Sequence, residues 1–125
     1  MRYFASLLLA CLLSVSCLAQ SAAIQKLVVN KYWQYSNTIY DKDKREVFHF
    51  KTIEGPKDVK EIALYFSPDG TFKEVVNKET RPKPARNGTW RVSSDTLQLQ
   101  FPNQRWNYKI LFMDAKEFQC SMSKG

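Results

Sequence analysis

The chain has 125 residues, 44% of them hydrophobic and 25% charged, with 19 Lys and Arg against 12 Asp and Glu and a formal net charge of +7. That length suits one domain built on one core and leaves no room for two. A single histidine rules out a histidine-rich zinc centre, and four glycines scattered along the chain rule out a glycine-rich phosphate loop.

The chain begins with a short basic start, Met1-Arg2, followed by an apolar run from Leu7 to Val15 and then Ser16-Cys17-Leu18-Ala19. Small residues at the −3 and −1 positions before Gln20 complete the grammar of a secretory signal peptide. The apolar run is shorter than the roughly 20 residues that span a bilayer, so cleavage after Ala19 is predicted and no transmembrane segment is expected after it. Cleavage after Ala23 fits nearly as well. Cys17 raises lipoprotein processing as a second route, but the box before it reads Ser14-Val15-Ser16, without the usual Leu at −3. The simpler reading, a small residue at a peptidase site, is preferred. The expectation is an exported protein, periplasmic or extracellular, with residues 20–125 as one domain.

Of the three cysteines, Cys11 and Cys17 fall in the leader, so Cys120 stands alone and no intramolecular disulfide can form. Alternation with Phe118 and Met122 predicts a small buried side chain rather than a reactive thiol. The excess positive charge suits anionic partners. Outside the cytoplasm these are envelope lipids, polysaccharides and acidic ligands, and nucleic acid is not expected.

In chain order, Ile24 to Val29 is a short apolar stretch, either a helical turn or a first strand. Tyr32 to Tyr40 reads as a strand with Trp33, Tyr35 and Ile39 on one parity, and Asp41 to Lys44 as a charged turn. Glu46 to Ile53 puts Phe48 and Phe50 on one face and Val47 and His49 on the other, and Gly55-Pro56 ends it. Ile62, Leu64 and Phe66 lead into the turn Ser67-Pro68-Asp69-Gly70, where Pro68 pre-sets φ and Gly70 can take a positive φ. Phe72 to Val76 returns, with a bulge expected at the adjacent Val75 and Val76. The run from Lys78 to Arg86 is basic, and its two prolines bar it from a central strand, so an exposed loop is expected.

Beyond that loop, Trp90 and Val92 face one way, and Ser94-Asp95 turns the chain into Leu97, Leu99 and Phe101. Pro102-Asn103-Gln104 turns it again. Trp106, Tyr108, Ile110 and Phe112 share a parity, and Asp114 to Lys116 leads to Phe118, Cys120 and Met122. The pattern predicts an all-β protein, an antiparallel up-and-down meander of seven or eight strands. Closing it into a barrel removes the unpaired edges. About eight strands leave an interior just wide enough for side chains or one small ligand.

The order of Trp33, LYFSPDGTF, NGTWRVSSDTLQL and the Tyr108-x-Ile110 strand resembles the lipocalin-like domain of small secreted bacterial proteins. The likeness runs from Lys31 to Met122. It implies a calycin-type barrel acting as a ligand-binding or interaction module. The chain departs from the lipocalin pattern at Lys31-Tyr32-Trp33, where the family has Gly-x-Trp, and no Arg is placed by spacing to cover Trp33, with Arg105 and Lys124 as candidates.

No residue set points to catalysis. His49 stands outside any Gly-x-Ser-x-Gly elbow, a rim or solvent position is expected for it, and Asp41 and Asp43 lack the Gly and Glu of a calcium loop. Neither Glu74 nor Glu79 is marked out as a catalytic acid. A non-enzymatic binding module is therefore expected, without cofactor or metal, taking a small apolar or amphipathic ligand in the barrel. The inward residues Trp33, Phe66, Phe72, Trp90, Leu99, Tyr108 and Phe112 are the candidate ligand contacts. The alternative is an envelope-surface or protein–protein interaction module in which Arg81, Lys83 and Arg86 of the basic loop meet an anionic envelope component.

Overall fold

A computed structural model describes residues 20–125; residues 1–19, where the signal peptide is expected, with Cys11 and Cys17, lie outside the described residues. Eight strands form a closed antiparallel barrel: β1 (Tyr32–Tyr40), β2 (Glu46–Ile53), β3 (Ile62–Phe66), β4 (Thr71–Val76), β5 (Asn87–Ser93), β6 (Thr96–Gln100), β7 (Arg105–Met113) and β8 (Glu117–Lys124). The meander runs unbroken from β3 to β8. Around the wall β1 sits between β3 and β2, and β2 closes the ring against β8. The β2–β3 connection crosses the outside of β1, where the Lys60 amide donates to Gln34 Oε1 at 2.7 Å and the Asn77 side chain donates to the Val59 carbonyl at 3.1 Å. Val59 and the outward Ala63 are buried along this crossing.

Turn chemistry sets the register. Gly70 takes φ of +91°, and Asp69 Oδ1 accepts from the Thr71 amide and hydroxyl at 3.0 and 2.7 Å. Those bonds hold the Asp69 carboxyl below its usual pKa. Tight turns at 67–70, 94–95 and 114–116, with the start of β1, lie at one end of the barrel. The 41–45 turn, the 77–86 loop and the 101–104 turn lie at the other, the mouth.

Residues 20–28 are helical, which settles the first apolar stretch as helix. Ile24 and Val28, one helical turn apart on the same face, join the core, and the helix closes the end opposite the mouth. Trp33 Nε1 donates to the Val28 carbonyl at 2.9 Å, satisfying a helix-end acceptor that would otherwise be orphaned in the core. Lys31 Nζ lies over the Trp33 ring, 5.8 Å from its centroid. Neither Arg105 nor Lys124 does this: Lys124 lies over Trp106 and Arg105 binds Gln100.

The core is aromatic and tightly stacked. Trp33 meets Phe118 at 5.0 Å, Phe118 meets Phe50 at 4.7 Å, and Phe50 meets Tyr108 at 6.0 Å between ring centroids. A second chain runs from Trp90 through Phe66 and Phe72 to Phe101, at 5.7, 6.1 and 5.1 Å. Each fully buried ring contributes about 1.5–3 kcal/mol of apolar transfer. Gly88 is required where β5 meets β6, because a Cβ there would stand 2.0 Å from the Gln100 carbonyl oxygen and 2.9 Å from the Phe72 ring.

Two bulges change sidedness. In β1 the register slips between Tyr35 and Asn37, so Ile39 no longer shares the face of Trp33. In β7 it slips between Ile110 and Phe112. Met113 thereby takes the inward place, and Phe112 turns out of the barrel and is 47% exposed. The expected inward position of Phe112 is corrected by that extra residue. No bulge occurs at Val75-Val76, where pairing with Ala63 and Ile62 is regular.

Candidate functional site

The mouth owes its shape to two short ladders. β1 pairs with β3 only from Tyr32 to Gln34, and β4 pairs with β5 only from Thr71 to Lys73. Past Lys73 the Glu74 amide still donates to the Arg86 carbonyl at 2.8 Å, and beyond Val76 the 77–86 loop leaves the sheet. Its prolines keep it from extending the sheet. Beneath it lies an open concavity of about 290 Å³ lined by Ile62, Glu74, Val76, Arg81, Lys83, Pro84 and Arg86.

Glu74 is the one charged residue in the barrel wall that is buried among the described residues, 6% exposed. The 67–70 turn sends Phe72 inward, and a period of two then sends Glu74 inward as well. Its Oε1 accepts from the Arg86 backbone amide and from Arg86 Nε, both at 2.9 Å, and its Oε2 accepts from Arg86 Nη2 at 3.0 Å. This fork is the strong, geometrically specific form of an ion pair. Glu74 also raises the already high pKa of Arg86 by hydrogen bonding. The guanidinium packs 4.3 Å from the Phe101 ring centroid, and the Gln104 side-chain oxygen, turned toward its donors, accepts from Arg86 Nη1 at 3.2 Å and Trp106 Nε1 at 3.3 Å. The end of the basic loop is thus anchored to the barrel interior.

Arg81 and Lys83 differ from Arg86. Among the described residues neither forms an ion pair, and both edge the concavity. The three basic-loop residues therefore divide into one structural cation and two free ones. Ile62, Val76 and Pro84 supply an apolar floor beside them.

Among the other expected ligand contacts, Trp33, Phe66, Phe72 and Leu99 are at most 2% exposed, Tyr108 is 8% exposed, and Trp90 is half-buried against the core. Trp90 Nε1 donates to the Ser67 carbonyl at 2.9 Å. Five of these six carry rings: Trp33 and Tyr108 belong to one aromatic stack and Trp90, Phe66 and Phe72 to the other, with Leu99 buried in the same core. Burial, assisted by the Glu74 charge, raises the Tyr108 hydroxyl pKa, and burial pushes the Cys120 thiol up to about 12. His49 faces outward, part-buried, with Nε2 3.2 Å from Glu117 Oε2. Asp41 caps its own turn by accepting from the Asp43 and Arg45 amides at 2.9 Å each. Among the described residues no group of three His, Cys, Asp or Glu side chains is placed to hold a metal, and no helix is long and apolar enough to cross a membrane.

Comparison with known proteins finds no matching family model, curated protein or solved structure.

Sequence reasoning found the basic loop but missed Glu74 as its anchor. The signal was present: a carboxylate on the same parity as Phe72 and Val76, followed by a dense run of cations.

Proposed function

We propose that this chain is an exported, non-enzymatic lipocalin-like module that binds a small amphipathic anion at the barrel mouth. The observation that carries the reading is the 290 Å³ concavity in which Ile62, Val76 and Pro84 adjoin the unpaired Arg81 and Lys83. An apolar body would displace water from the floor, and an anionic head would take the two free cations, while Glu74 keeps Arg86 out of the exchange. The volume lies at the lower end of small-molecule sites, which favours a single chain or small ring. The alternative, an anionic envelope component held by the same loop, shares Arg81 and Lys83 but does not use the apolar floor.

Calorimetric titration with dodecanoate and with dodecanol tests this. Dodecanoate should bind more tightly than the alcohol, and Arg81→Gln with Lys83→Gln should weaken it about tenfold, the scale of lost charge-assisted hydrogen bonds. Val76→Asp should weaken both ligands. Equal binding of acid and alcohol, or no effect of the double substitution, would count against the reading.

A further inference from the structure

The outer wall from β3 to β7 carries a second pattern, separate from the mouth. Register aligns its outward side chains in rows that cross several strands. One row is Tyr32, Tyr65, Lys73 and Asn87; the next is Thr71, Thr89, Gln100 and Arg105; a third sets Arg91 beside Gln98. Neighbouring strands lie about 4.8 Å apart, so the four-strand row from Thr71 to Arg105 spans roughly 14 Å. Two open concavities adjoin on this wall, about 470 Å³ around Thr71, Lys73 and Asn87 and about 200 Å³ around Arg91, Gln98 and Arg105.

The charge on this wall is one-sided. Lys73, Arg91, Arg105 and Lys109 face out from β4, β5 and β7 and are exposed, and no outward residue of β3 to β7 is a carboxylate. The acids of the flanking turns, Asp69 and Asp95, are engaged, Asp69 Oδ1 by Thr71 and Asp95 Oδ1 by the Thr96 hydroxyl, and Glu61 stands before the start of β3. The arginines are also oriented. Arg91 Nε donates to Gln98 Oε1 at 2.5 Å and Arg105 Nε donates to Gln100 Oε1 at 3.1 Å. Each guanidinium is steadied through Nε and keeps its two terminal nitrogens for a ligand.

We infer that this wall binds an acidic polysaccharide, a chain bearing sugar carboxylates and hydroxyls. The outward guanidinium forks match carboxylates bidentately. The intervening Thr, Asn and Gln groups both donate and accept, as sugar hydroxyls do. A nucleic acid strand suits the wall less well, because it gains from aromatic faces on which bases stack. Here the Tyr32 and Tyr65 rings pack on each other at 4.7 Å and Lys73 covers Tyr65 at 5.4 Å.

The test is binding of an oligogalacturonate to the full domain, followed by calorimetry or fluorescence anisotropy over a range of salt, with its methyl ester and a single-stranded DNA oligomer as competitors. Arg91→Gln with Arg105→Gln should weaken oligogalacturonate binding about tenfold. The charge-matched pair Lys42→Gln with Lys51→Gln should change it by no more than about twofold, because exposed charges off the wall act only through screened long-range fields. Both pairs are surface changes expected to leave stability within about 0.5 kcal/mol, which thermal unfolding verifies. Equal weakening by the two pairs would reduce the effect to net charge and overturn the assignment. So would failure of oligogalacturonate to bind, undiminished binding by the Arg91/Arg105 pair, or tighter binding of the DNA oligomer or the methyl ester.

Discussion

The anchoring of the basic loop makes an asymmetric prediction about stability. In Arg86→Ala, the Glu74 side chain, 4% exposed, loses its counter-charge and two of its three donors, and only the residue-86 backbone amide still serves it. Breaking a buried pair from that side costs about 3–5 kcal/mol. The surviving amide and the open mouth place this case near 3 kcal/mol. In Glu74→Ala the stranded group is the Arg86 guanidinium, whose side chain is 48% exposed and can rehydrate in place. About 2 kcal/mol is expected there, from lost charge-assisted bonds discounted for exposure. Urea unfolding followed by tryptophan fluorescence measures both, and the double variant gives the coupling, expected at about 1–2 kcal/mol. A larger loss in Glu74→Ala than in Arg86→Ala would refute the burial argument, and coupling below about 0.5 kcal/mol would refute the anchor itself.

Three further outcomes follow from the core. Gly88→Ala drives a Cβ into the Gln100 carbonyl oxygen, which is fixed in the sheet, so a loss of about 3 kcal/mol in unfolding free energy is expected, at the upper end of overpacking costs. The Cys120 thiol should resist labelling by a disulfide reagent in the native state. Its folded pKa is raised to about 12 from 9.0, so its contribution is intact below 9.0 and is lost as pH rises toward 12. The alkaline fall in urea midpoint should therefore be shallower in Cys120→Ala, with the Tyr108 part of the slope remaining.

Most of the barrel was legible in the sequence because strand period and turn chemistry are local. The Ser67-Pro68-Asp69-Gly70 turn and the Leu97, Leu99, Phe101 alternation fall where the residues put them. The placement of β1 between β3 and β2 was not legible, since it depends on the path of a connection held by side chains distant in sequence, Gln34 on the Lys60 amide, Asn77 on the Val59 carbonyl and Thr80 on the Lys60 carbonyl. Nor were the bulges that release Ile39 and Phe112: in Ile110-Leu111-Phe112-Met113 either register keeps a hydrophobic side chain inside, and in Tyr35-Ser36-Asn37 no Gly or Pro marks the slip. The helix over residues 20–28 is too short to declare itself by propensity, and its stability comes from Ile24, Val28 and the Trp33 bond. The candidate site was half visible. Cations in a proline-bearing loop are conspicuous, whereas an inward carboxylate shows only when the strand parity is followed through it.

The central claim is that the ligand sits at the mouth and not in the stacked interior. Amide and methyl chemical shifts of the isotope-labelled protein, followed during titration with dodecanoate, test it most directly. Binding at the mouth predicts changes concentrated at Ile62, Val76, Arg81 and Lys83, with Trp33 and Phe118 unmoved. Changes centred on the Trp33, Phe50 and Phe118 stack, or no changes at saturating ligand, would contradict it.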